Sequence, residues 1–256
     1  MITYISAVIL GVVEGFTEFL PISSTAHLIL VSNFLRISQS NFVTTFEIAI
    51  QSGAICAVIA LFWRRFFEWE SLKRIIVAFV PTGAMGLILY QVVTTYLVGN
   101  IAVVLWLLAI GGVLLILFEY LFSQKGSTHT INTITYRQAV GIGFFQSLAL
   151  FPGVSRSAAT IIGGMLMGVG RTAITEFSFL LAVPTMFAAT GLLFLKNYHE
   201  FSSSQFGILA VGFVVSFITA IIGIRFLLNY VKRHSFTAFG VYRIILVVVF
   251  LLILVW

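Results

Sequence analysis

Apolar runs separated by short polar stretches set the plan of this chain. Runs long enough to cross a hydrocarbon core of ~30 Å as helices fall at about 45–63, 75–93, 101–122, 177–195, 206–228 and 238–256, which predicts six membrane-spanning helices. Two further regions, 5–35 and 137–169, are each interrupted near the middle by proline and a polar cluster. The pieces left on either side are about 12 to 16 residues, or roughly 18 to 24 Å at 1.5 Å per residue, too short to cross comfortably. Each region is therefore predicted to be a re-entrant helical hairpin, its non-helical tip buried in protein or water at membrane depth.

The first interruption reads EGFTEFLPISSTAH, from Glu14 to His27. Polar groups that are costly to hold in a membrane usually work there. Glu14 and Glu18 share one helix face, and after Pro21 the hydroxyls of Ser23, Ser24 and Thr25 can open a second helix carrying His27. Two neighbouring carboxylates call for a cation beside them, so Glu14 and Glu18 are candidate metal ligands or acid/base groups. Ser24 and His27 lie three apart, a spacing that suits a nucleophile and a general acid or base. The second interruption, FPGVSRSAAT from Phe151 to Thr160, is an anion-binding design. Gly153 allows close backbone approach, the following helix N-terminus carries free amide hydrogens, and Arg156 adds a planar donor fork. Two such helix termini facing one point favour a multiply charged anion such as pyrophosphate. Glu47, Gln51 and Glu176 begin spans near the tips and are read as supporting or interfacial. Glu68, Glu70, Glu119, Glu200, His129, His199 and His234 read as solvated loop or helix-end residues.

Superposing Pro21 on Pro152 also places Phe46 on Phe177, Gly53 on Pro184 and Arg65 on Lys196, while PISSTA meets PGVSRS. The chain thus reads as one membrane domain, 1–256, built from a first repeat, 1–125, and a second, 126–256. Only the first copy has the acids, since Glu14 and Glu18 fall on Phe145 and Ala149. Three spans and a hairpin per copy make the second copy inverted, and sites in such proteins form at the midplane where interrupted helices meet. Arg64, Arg65, Lys73, Arg74, Lys125, Arg137, Lys232 and Arg233 fall on one side, against Arg36 and Lys196 opposite. By the positive-inside rule the basic side is cytoplasmic, and the first hairpin enters from the outer face.

Composition agrees, at 60% hydrophobic and 9% charged residues, which marks a polytopic all-α membrane protein. The net charge of +6 is spread between apolar segments, so nucleic-acid binding is disfavoured. Cys56 is the single cysteine, which excludes an intrachain disulfide and a cysteine-based metal site. The N-terminal MITYISAVIL has no basic leader and reads as part of the fold. The absence of aspartate, of a GK[ST] phosphate loop and of HExxH leaves ATP-driven transport and zinc proteolysis without visible machinery. A transporter is the rival to an enzyme, because secondary transporters share inverted repeats and half-helix anion sites.

The segments LGVVEGFTEFLPISSTAHL, TFEIAIQSGAICAV with FWRR after it, YRQAVGIGFFQSLALFPGVSRSAATIIGGMLMGVGR and EFSFLLAVP closely resemble the bacterial undecaprenyl pyrophosphate phosphatase family associated with bacitracin resistance. The resemblance covers nearly the whole chain. It implies hydrolysis of a polyprenyl diphosphate lipid to its monophosphate and inorganic phosphate with a divalent cation, Mg or Ca, recycling the carrier for peptidoglycan and other cell-wall polymers. It places the acidic motif on Glu14 and Glu18, the serine and histidine on Ser24 and His27, and the phosphate-binding arginine on Arg156. Ser23, Thr25, Ser155, Ser157 and Thr160 match as phosphate hydrogen-bonding residues. The expected location is the bacterial inner membrane, multi-pass, with the site open to the periplasm or exterior. Whether Ser24 or an activated water attacks is open, as is the oligomeric state, a homodimer included.

Overall fold

Proline and hydroxyl residues divide the chain where the polarity pattern does. The computed structural model describes residues 2–38, 40–97, 100–122, 130–197 and 205–255. In chain order its helices are α1 (Tyr4–Thr17), α2 (Ser24–Phe34), α3 (Asn41–Phe67), α4 (Trp69–Val92), α5 (Ile101–Leu121), α6 (Tyr136–Ser147), α7 (Arg156–Leu166), α8 (Arg171–Asn197), α9 (Phe206–Tyr230) and α10 (Thr237–Val255). No strand occurs among the described residues. Helices α3, α4, α5, α8 and α9 are long and apolar enough to cross a membrane. The sixth predicted span is α10, apolar but, at 19 residues, shorter than those five.

Both interrupted regions are pairs of short helices. α1 and α6 open on the same device, a capping box in which Thr3 pairs with Ser6 and Thr135 with Gln138, satisfying amides that a helix start leaves bare. Pro21 and Pro152 then separate α1 from α2 and α6 from α7. α1 packs on α9, α6 on α4, α3 on both α8 and α9, and α5 on α10. Small residues set the approach, since a Cβ on Gly15 would strike Thr219 Oγ1 and the Ser216 carbonyl, and one on Gly143 the Ala78 carbonyl. In lipid, where apolar surface gains little by hiding from apolar tails, such close backbone packing holds helices together.

At one end of the bundle, Arg65 bridges α3 to α8 through Glu176, Nε to Oε1 at 3.1 Å, and also pairs with Glu68. Glu70 pairs with Lys73 and Arg74 on the surface, and His234 is exposed. The solvated reading fails for Glu119, which is 6% exposed. Its Oε2 accepts from Arg171 Nη2 at 2.7 Å, and its Oε1 accepts the Phe236 amide hydrogen at 2.8 Å just ahead of α10. The carboxylate ties α5, α8 and the start of α10, a bond between distant segments that local polarity cannot reveal. Glu119→Ala is expected to cost about 3 kcal/mol, as for breaking a largely buried pair, read as a lower thermal midpoint in detergent. An unchanged midpoint would show that the tie carries no stability. Lys125, His129, His199 and Glu200 lie outside the described residues.

Candidate active site

The two proline-marked tips meet inside the bundle. Ser157 Oγ, one residue into α7, donates to the Leu20 carbonyl of the first tip at 2.8 Å. Between the tips, Phe19 is fully buried edge-on against Phe179, ring centroids 5.4 Å apart, and the Arg156 guanidinium sits 5.7 Å above the Phe19 ring. α7 is capped by Ser155, whose Oγ accepts the Ala158 amide hydrogen at 3.3 Å. α2 has no side-chain cap, and Ser23 at its start has φ 67°, ψ 93°. Gly153 has φ 97° in the second tip, and a Cβ there would strike the Val104 carbonyl, so two constraints select glycine.

Glu18, Ser23, Ser24, Thr25, Ser155 and Arg156 line a cavity of about 240 Å³ between these tips. Ser24 Oγ donates to Glu18 Oε2 at 2.5 Å. Glu18 Oε1 in turn accepts from Arg156 Nε at 3.4 Å and Nη2 at 3.3 Å, while Arg156 Nη1 donates to the Ser178 carbonyl at 2.9 Å. Hydroxyl, carboxylate and guanidinium thus form one chain at the cavity, with the Glu18 and Arg156 side chains only 11% and 9% exposed. The carboxylate is placed to take the serine proton, and the guanidinium bonds to it are long enough to yield to phosphate oxygens.

The other sequence candidates sit around this chain rather than in it. Glu14, one helical turn before Glu18, is fully buried, does not line the cavity, and neither carboxylate oxygen has a hydrogen-bond partner among the described residues. Glu18, Glu47 and Arg156 are the charges that act on it. Two bare carboxylate oxygens beside a second carboxylate suit a hard divalent cation, which commonly takes one or two carboxylates and completes its shell with substrate phosphate. No group of three or more His, Cys, Asp or Glu residues that could hold an ion comes together among the described residues. His27 also lies off the cavity lining, its Nδ1 2.8 Å from the Ser23 carbonyl and its Nε2 2.7 Å from Tyr242 Oη. Ser157 and Thr160 are fully buried and bond to protein groups, Ser157 Oγ to the Leu20 carbonyl and Thr160 Oγ1 to the Arg156 and Ser157 carbonyls and to Ser178 Oγ of α8.

The cavity walls add polar residues. Gln51, read from the sequence as supporting or interfacial, belongs to them; Thr82, Gln146 and Thr185 were not singled out. The Thr82 and Thr185 hydroxyls donate to the Gly143 and Leu181 carbonyls, and both accept from Gln146 Nε2, at 3.0 and 2.9 Å. Gln146 Oε1 is left without a donor partner among the described residues. A signal was present, for each threonine follows a proline inside a long apolar helix, Pro81–Thr82 and Pro184–Thr185.

The family described as bacitracin resistance protein BacA matches residues 7–249. An undecaprenyl-diphosphatase of Sulfurihydrogenibium sp. (strain YO3AOP1) is 49% identical over 251 residues, 98% of this chain and 99% of its own. One of Aquifex aeolicus (strain VF5) is 48% identical over 245 residues, 95% of this chain and 96% of its own. One of Methanococcus aeolicus is 41% identical over 253 residues, 98% of each.

Proposed function

The chain belongs to the bacitracin resistance protein BacA family, and we propose that it works as an undecaprenyl-diphosphatase through the Ser24–Glu18–Arg156 chain of bonds at the cavity. It hydrolyses undecaprenyl diphosphate to undecaprenyl phosphate and inorganic phosphate, an activity associated in this family with bacitracin resistance. The observation that carries the mechanism is the hydrogen bond from Ser24 Oγ, on the first residue of α2, to Glu18 Oε2, the same carboxylate that Arg156, on the first residue of α7, holds. The diphosphate oxygens accept from the free amides at the starts of α2 and α7 and from Arg156. Ser24 Oγ then attacks the terminal phosphorus, its proton passes to Glu18, and the bond from that phosphorus to the bridging oxygen breaks, releasing undecaprenyl phosphate. Glu18 hands that proton to the departing bridging oxygen and, again a carboxylate, draws one from water; the water oxygen attacks the phosphoserine phosphorus, the bond from phosphorus to Ser24 Oγ breaks, the proton returns to Oγ, and inorganic phosphate is freed. Glu14 and Glu18 would hold a divalent cation, Mg or Ca, which when bound neutralises charge on the phosphate oxygens.

The finer architecture belongs to the same reading. Two inverted repeats, 1–125 and 126–256, with six spans and two re-entrant hairpins, are supported by paired packing: α1 lies on α9 as α6 lies on α4, while α3 with α8 and α5 with α10 pair across the repeats. The basic face holds the start of α6, so the first hairpin enters from the opposite face and the cavity opens to the periplasm from the inner membrane.

Purified protein in detergent, given undecaprenyl diphosphate labelled on its terminal phosphorus and a divalent cation, is expected to move the label into inorganic phosphate. Labelled lipid recovered intact under every cation tried would sink the hydrolase and favour the transporter reading, a flippase for the lipid monophosphate with the same anion site. Glu14→Gln is expected to raise the cation concentration needed for half the maximal rate. An unaltered cation titration would place the ion elsewhere.

A further inference from the structure

Two consecutive residues of α10 each reach a different tip. Tyr242 Oη lies 2.7 Å from His27 Nε2, with the two rings within 3° of parallel, and His27 Nδ1 lies 2.8 Å from the Ser23 carbonyl. A carbonyl oxygen only accepts, so Nδ1 carries the hydrogen, and in the neutral imidazole Nε2 accepts from the Tyr242 hydroxyl. With both nitrogens engaged, His27 is a link between α10 and the first tip. Arg243, 1% exposed, donates from Nη2 to the Gly153 carbonyl at 3.1 Å and from Nε to the Leu108 carbonyl of α5 at 3.1 Å. α5 makes room for it at Gly111, where a Cβ would strike the guanidinium.

The carbonyls held in this way belong to the two tip residues with left-handed backbone, Ser23 at φ 67° and Gly153 at φ 97°. A serine stays in that region only where its surroundings hold it there. Ser23 immediately precedes Ser24, and Gly153 lies three residues before Arg156, so the anchored carbonyls set where nucleophile, helix termini and guanidinium stand. We propose that Tyr242, through His27, and Arg243 are positioning residues that fix the two tips at the separation a diphosphate requires. The inference rests on the hydrolase reading for its kinetic consequence, whereas the anchoring can be measured without it.

Tyr242→Phe keeps the ring and removes the hydroxyl; Arg243→Gln removes the fork. Hydrogen–deuterium exchange by mass spectrometry on the whole protein is expected to quicken over residues 18–27 in the first variant only and over 150–157 in the second only. In each variant kcat for phosphate release should fall about 10²-fold, the loss that small misplacement of reacting groups can cause, with a smaller change in KM, and Arg243→Lys should recover part of it. Exchange that quickens across α3, α8 and α9 as well, or at neither tip, overturns the anchoring, as does wild-type kcat in both variants. Wild-type protein that releases no phosphate while each tip loosens separately would instead remove the hydrolase reading and leave the anchoring standing.

Discussion

Ser24→Ala is expected to lower kcat for phosphate release from undecaprenyl diphosphate by about 10⁴-fold or more, the scale of losing a nucleophile. Among the described residues the Ser24 hydroxyl is the cavity hydroxyl bonded to a carboxylate, and that carboxylate is itself held by a guanidinium. Glu18→Gln keeps shape and hydrogen bonding but cannot accept the proton, so a loss of about 10² to 10⁴-fold is expected. Because the two act in one step, the double variant should be no slower than Ser24→Ala alone. Kinetics on purified variants with wild-type circular dichroism check this. Losses that multiply would show that the residues act separately.

Arg156→Lys is the second large effect, about 10² to 10³-fold in kcat/KM by comparison with removing a preorganised donor from an anion site. Charge is retained, but Arg156 serves three directions at once: Glu18 through Nε and Nη2, the Ser178 carbonyl through Nη1, and the Phe19 ring through its face. An ammonium cannot span that fork. Inhibition by inorganic pyrophosphate should weaken in parallel. Near-native inhibition with lysine would mean that the site needs charge alone at this position.

The interrupted helices and the clustering of Glu18, Ser23, Ser24, Thr25, Ser155 and Arg156 were legible because proline, hydroxyls and charge stand out against apolar sequence. Their meeting at one cavity follows from the two broken regions having similar patterns. What was not legible is set by long-range pairing. Spacing puts Ser24 and His27 on one side of α2, yet the His27 ring folds back to the carbonyl four residues before it and out to Tyr242, leaving Ser24 to Glu18. Glu119 looks like a helix-end acid until Arg171, 52 residues on, and the Phe236 amide are brought to it. Thr82 and Thr185 had only the preceding proline to mark them, nothing local marks Gln146, Tyr242 or Arg243, and α10 reads as generic membrane sequence although it contacts both tips.

The stereochemical course at the transferred phosphorus tests the role of Ser24 most directly. With undecaprenyl diphosphate made chiral at its terminal phosphorus by oxygen isotopes or sulfur, attack by Ser24 followed by water is two in-line displacements, each inverting the centre. Net retention in the released phosphate or thiophosphate is the expected result. Net inversion would mean a single displacement by water, and Ser24 would then be a binding group and not the nucleophile.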